Sequence, residues 1–175
     1  INFMNVSESK CILGDNKNLK KINENIEKLE NKETLFIDFD SKIQEGNLLS
    51  FEIQMEKGKN LVEEGNTDFD KIIVNPDELK ILLFTSGTTS KSKAVMLSHK
   101  NIASNLMDIS SVLKVKEDDR FLSFLPLHHT FECTTGFLLP LSVGASIAFC
   151  DGIRHIAENL KEYDITFMVS VPVLY

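Results

Sequence analysis

Apolar positions recur along this chain at two spacings, and each spacing predicts an element. Lys10 to Leu13 is a short apolar run closed by Gly14-Asp15, which predicts a strand. Leu19, Ile22, Ile26 and Leu29 then recur three or four residues apart among Lys, Glu and Asn. That spacing predicts one amphipathic helix. The stripe is too short for a coiled coil, so a helix packed on a sheet is expected. Thr34 to Phe39 is apolar on both faces, which suits a strand of a buried parallel sheet. Residues 41–80 are the most polar portion and read as a connecting segment. They are expected to hold a helix near Leu49 to Glu64, then a linker through Gly65-Asn66 and Asn75-Pro76.

Two strand-like runs follow, Ile81 to Phe84 and Ala94 to Leu97. Ile102, Leu106, Ile109 and Leu113 mark a helix with Ser98 as its N-cap. Phe121 to Leu125 reads as a strand stopped by Pro126, and residues 130–142 as a largely apolar helix. Ala145 to Cys150 is a strand, Ile153 to Leu160 carries a helical stripe, and Ile165 to Val171 is a further strand. Strand and helix alternate, so the fold class is α/β, a sheet flanked by helices with βαβ units. There is no internal repeat and no low-complexity tract.

Composition narrows the function. The chain has 175 residues, enough for one domain, and a net charge of −7. A nucleic-acid partner would call for a basic face, so none is expected. No apolar run reaches the length of a membrane span, which leaves only peripheral membrane contact open. Cys11, Cys133 and Cys150 are widely spaced, form no C-x-x-C and read as reduced thiols of a cytoplasmic protein. Both ends read as cut: the chain opens on Ile1 and closes on Val171-Pro172-Val173-Leu174-Tyr175.

The candidate chemistry lies between the two central runs. Thr85-Ser86-Gly87-Thr88-Thr89-Ser90-Lys91-Ser92-Lys93 holds only hydroxyl side chains, one glycine and two lysines. Turn amides form an anion-binding concavity, hydroxyls add donors, and a lysine supplies a mobile positive charge. Such a composition suits a polyphosphate, although many Gly/Ser/Thr-rich connections are plain turns. A Walker A loop needs a second glycine before its lysine, a Mg²⁺-binding hydroxyl after it, and then a helix. Ser92 and Ala94 stand at those positions and a strand follows, which argues against it.

The run from Thr85 through Thr89, with Lys93, Val95, Leu97 and His99, resembles the phosphate loop of the adenylate-forming superfamily, T-S-G-T-T-G-x-P-K-G-V-x-L-T-H. Three positions depart. Ser90 and Ala94 replace glycines, and Ser92 replaces proline. Glycine allows positive φ and close approach, so the departures bear on the tightness of the loop. Downstream, Leu125-Pro126-Leu127-His128-His129-Thr130-Phe131-Glu132 is similar to L-P-L-x-H-x-x-[GE] of the same superfamily. The form ending in Glu is most like the long-chain acyl-CoA synthetases.

The resemblance implies that residues 1–175 are part of the large N-terminal, AMP-binding domain of a longer enzyme. It implies activation of a carboxylic acid, with a fatty acid as the expected class, by ATP to acyl-AMP, then transfer to coenzyme A. Thr85, Ser86, Gly87, Thr88, Thr89 and Lys93 would hold the β- and γ-phosphates, with Mg²⁺ bridging them. No acidic ligand for Mg²⁺ stands out. His129 would be catalytic, beside the acyl and α-phosphate region; a histidine merely closing a strand end is the plainer alternative. His128 and His129 would point apart in an extended chain, which argues against joint metal ligation. His99 reads as structural and His155 as an ordinary surface residue. Glu132 is either a first-turn carboxylate favoured by the helix dipole or a site residue. A degenerate, non-catalytic nucleotide-binding homologue is the alternative function, motivated by Ser90, Ser92 and Ala94. The isolated chain is expected to be inactive, with its Phe-rich segment from Phe121 to Phe149 exposed.

Overall fold

The computed structural model describes residues 1–85 and 93–172. The chain divides into two compact units, Ile1–Val74 and Asn75–Tyr175, with the boundary inside the polar stretch 41–80. Strands and helices alternate in both, so the chain is α/β as expected.

The first unit opens with a short helix α1, Asn2–Val6, and strand β1, Cys11–Gly14. Helix α2, Asn16–Asn23, starts where the Asp15 carboxylate accepts a bond from the Asn18 N–H at 2.7 Å. The expected single helix through Leu29 is not formed. It ends at Asn23, and Ile26–Lys28 is a separate 3₁₀ turn. Asn is a weak helix former, and the Asn25 side chain bonds back to the Lys21 carbonyl instead of extending the helix. Leu19 and Leu29 are still buried together in the core of this unit. Strand β2, Leu35–Asp38, pairs in parallel with β1 on one side and with β3, Leu48–Ser50, on the other. β3 is too short to register as a pattern. Ser50 closes it and caps helix α3, Phe51–Glu63, by accepting from the Ile53 N–H. Gly65, at φ +84°, ends that helix in the left-handed conformation that glycine adopts at no steric cost.

The second unit contains two sheets. Strands β4, Leu79–Thr85, and β5, Lys93–Ser98, form an antiparallel pair. Ser98 then caps helix α4, His99–Val112. Its hydroxyl accepts from the Asn101 N–H while the Asn101 side chain accepts from the Ser98 N–H. Strand β6, Arg120–Ser123, is the centre of a parallel sheet, between β7, Ser146–Phe149, and β8, Phe167–Met168. The helix after β6 is not a plain α-helix. It is a π-helix over Glu132–Leu138 that continues into α5, Leu139–Val143. Helix α6, Ile156–Glu162, completes the second βαβ crossover. The expected strand to Val171 is confined to β8, because only Phe167 and Met168 find partners in β6.

The core of this unit is Phe121, Leu122, Leu139 and Ala145. The ring of Phe121 stacks on Phe167 at 5.0 Å between centroids. The expectation of an exposed Phe-rich segment is therefore wrong at its start. Phe131 and Phe149 are exposed, but Phe69 and Ile73 in the polar stretch are more so. Among the described residues no helix is long and apolar enough to cross a membrane.

Candidate functional site

The strands β4 and β5 explain the geometry of the phosphate-loop candidate. Their register runs from Leu79 opposite Ser98 to Thr85 opposite Lys93. Directly opposed residues of an antiparallel pair project from the same face, with Cβ atoms about 5 Å apart. The Thr85 hydroxyl and the Lys93 ammonium therefore leave the open end of the ladder on one side, and both residues are exposed. A donor hydroxyl and a mobile cation side by side suit an anion. Ser86, Gly87, Thr88 and Thr89, with Ser90 and Ser92, lie outside the described residues.

One departure from the family pattern resolves here. Ala94 stands opposite Phe84 within the ladder. It is not among the described residues with left-handed backbone, which are Glu8, Asp164 and four glycines. Alanine meets no steric penalty in extended backbone, so at this position the missing glycine costs no backbone strain.

His129 lies in the connection between β6 and the π-helix. Its N–H donates to the Pro126 carbonyl at 3.0 Å, and its carbonyl accepts from the Cys133 N–H at 3.0 Å. Both ends of its peptide are held while the ring stays exposed. The residue thus opens a helix rather than closing a strand, since β6 ends at Ser123. The argument that His128 and His129 point apart does not hold. They sit in a turn, not an extended segment, and their rings are 4.3 Å apart. Even so, the described residues contain no group of three His, Cys, Asp or Glu side chains that could hold a metal ion. They provide no cage for Mg²⁺. His99 is the first residue of α4, and its N–H reaches the Glu78 carbonyl at 3.4 Å. His155 pairs with Glu158 on the surface at 3.2 Å.

Glu132 is neither an exposed dipole carboxylate nor a residue open to a ligand. Its side chain turns inward and is 1% exposed. Oε1 accepts from the Ser123 hydroxyl at 2.6 Å, and Oε2 is buried with no hydrogen-bond partner. Burial pushes this carboxyl above its ordinary range, partly opposed by the Ser123 bond. Gly136 is what makes room, since a Cβ there would stand 2.5 Å from the carboxylate. The Cys133 thiol is also pushed up, first by burial and then by the charge of Glu132. The sequence signal was a glycine one helical turn after an acidic residue, a pair on the same helix face.

A helix joins the two motifs. α4 leaves the end of β5 and packs against the π-helix and α5. The loop-bearing hairpin and the His129 turn therefore belong to one packed unit.

This architecture has known counterparts. The chain is 39% identical over 105 residues to "Long-chain-fatty-acid--CoA ligase 1" of Homo sapiens, covering 55% of the chain and 14% of that protein. It is 33% identical over 126 residues to "Fatty acyl-CoA synthetase B" of Dictyostelium discoideum, covering 71% of the chain and 18% of that protein. The structure superposes on the anthranilate CoA ligase AuaEII, solved in complex with anthranoyl-AMP, with a TM-score of 0.78. That match has 21% identity and covers 99% of the chain and 33% of the ligase, so it speaks to fold alone. The chain thus spans a minor part of the length of these proteins. The sequence model of the AMP-binding enzyme family matches residues 2–175, and the chain belongs to that family.

Proposed function

We propose that the protein activates a carboxylic acid, with a fatty acid as the leading class, and passes the acyl group to coenzyme A. A carboxylate oxygen attacks the α-phosphorus of ATP, the bond from that phosphorus to the bridging oxygen breaks, and pyrophosphate leaves. The coenzyme A sulfur then attacks the acyl carbonyl, its proton is lost, and AMP departs. The observation that carries this reading is the hairpin end. Thr85 and Lys93 face each other across the ladder, and the hydroxyl-rich segment lies between them in sequence. Lys93, with the amides and hydroxyls of Thr85 to Thr89, is assigned to the β- and γ-phosphates. Mg²⁺ is assigned to the nucleotide's own phosphates, where it would offset their charge. His129 is assigned to the acyl and α-phosphate end. Its held backbone and exposed ring suit orienting the attacking carboxylate. The names of the two relatives support the acid class, and the anthranoyl-AMP of the ligase supports an acyl-adenylate intermediate. A cytoplasmic location goes with this proposal and rests on the free thiols of Cys11, Cys133 and Cys150.

The test is ATP–pyrophosphate exchange by the full-length protein with acids of graded chain length. Acid-dependent exchange is expected. Nucleotide binding without exchange for any acid would establish the non-catalytic homologue instead.

A further inference from the structure

Glu132 poses an energetic question. A carboxylate in the first turn of a helix gains from the dipole while it stays in water. This one is buried with a single donor and an orphaned oxygen. A buried carboxyl so poorly satisfied is generally no more stabilising than an apolar group of the same size. Stability alone therefore does not account for it.

Geometry does. The Ser123–Glu132 bond joins residues nine apart in sequence and closes the chain between them into a loop. Ser123 is the last residue of the core strand β6, and Glu132 is the first residue of the π-helix. His129 lies inside that loop. Its carbonyl is bonded to Cys133, the neighbour of Glu132, and its N–H to Pro126. Gly136 leaves the space that the carboxyl fills. π-Helical turns are frequently found at functional sites. We propose that Glu132 is the positioning residue for His129: its carboxyl, held by Ser123 and seated over Gly136, fixes the turn that presents the imidazole. This rests on the reading of His129 given above.

The test uses the full-length protein. Glu132→Ala should lower kcat for acyl-adenylate formation by about tenfold or more, with KM for ATP within about twofold, as misplacement of an orienting group does. Glu132→Gln keeps the shape and a hydrogen bond to Ser123, and should restore kcat to within about threefold of wild type. In a His129→Ala background, Glu132→Ala should cost less than about twofold, because the two residues act as a unit. Equal losses in both backgrounds, or an unchanged kcat in Glu132→Ala, would overturn the proposal. Should Glu132→Ala fail to fold, Ser123→Ala breaks the same bond and is read the same way. The ring resonances of His129 in histidine-labelled protein give a readout without turnover. They should shift or broaden in Glu132→Ala and not in Glu132→Gln, and unchanged resonances would overturn the positioning role. If wild type shows no exchange with any acid, the proposed function fails while these resonances still decide whether the clamp holds the ring.

Discussion

Gly136→Ala should destabilise the protein, although alanine is the better helix former. Three contributions compete. Replacing a glycine within a helix gains about 1 kcal/mol. Against that, the new Cβ would lie 2.5 Å from the Glu132 carboxylate, closer than real contacts allow. Overpacking of a filled site costs about 1–3 kcal/mol. If the carboxyl swings away to relieve it, the Ser123 bond is lost, at about 1.5–3 kcal/mol for a hydrogen bond to a charged group. Set against that gain, either resolution of the clash leaves a net cost of up to about 2 kcal/mol.

The decisive measurement is the same substitution in a Glu132→Ala background. With the carboxylate gone, both penalties disappear and the propensity gain remains. Gly136→Ala should then be neutral or stabilising by up to about 1 kcal/mol. The assay is urea unfolding of the single and double variants, compared by midpoint. A reversal of sign does not depend on two-state behaviour, which a long chain need not show. The same destabilisation in both backgrounds would refute the claim that Glu132 is what Gly136 accommodates.

Three further outcomes are expected. Lys93→Ala should weaken ATP use by about 1.5–3 kcal/mol, roughly tenfold to hundredfold in exchange rate at subsaturating ATP; an unchanged rate would remove its phosphate role. Ser98→Ala removes the hydroxyl of the capping box on α4 and should cost about 0.5–2 kcal/mol in unfolding, whereas an unaltered melting curve would show the cap to be dispensable. Glu132 has a folded-state pKa raised by burial from 4.5, so the folded state holds its proton more tightly than the unfolded chain does. Stability should therefore fall as pH rises from the ordinary carboxylate range through the raised value, then level off. Glu132→Gln lacks that loss, so melting temperatures of the two proteins between about pH 4 and 8 should diverge as pH rises; parallel curves would refute it.

Much of the fold was legible because its signals are local. Ser98 before a helical stripe announced the cap and start of α4, whereas β6 ends at Ser123, short of the expected stop at Pro126. The extended runs on either side of the hydroxyl-rich segment did pair. What was not legible depended on partners distant in sequence. The early end of α2 is an exception: it is local, because Asn23 and Asn25 outweigh an apolar stripe of which Leu19 and Leu29 are nonetheless buried. β8 is short because β6 offers partners only to Phe167 and Met168. The inward turn of Glu132 needed Ser123, nine residues away on β6, which no helical pattern shows, although the spacing of Glu132 and Gly136 was visible.

The same contrast bears on the three departures from the phosphate-loop pattern. A motif records residue types, but glycine is required only where backbone angle or close approach demands it. Ala94 sits in a regular ladder position opposite Phe84, where its side chain is one more strand residue. Backbone angle at Ala94 therefore gives no ground for reading the loop as degenerate. Ser90 and Ser92, the other two departures behind the non-catalytic alternative, lie outside the described residues. Ser90→Gly separates the two cases: neutral or improved ATP affinity means that serine is only tolerated there, while a large loss means that its hydroxyl contributes to binding.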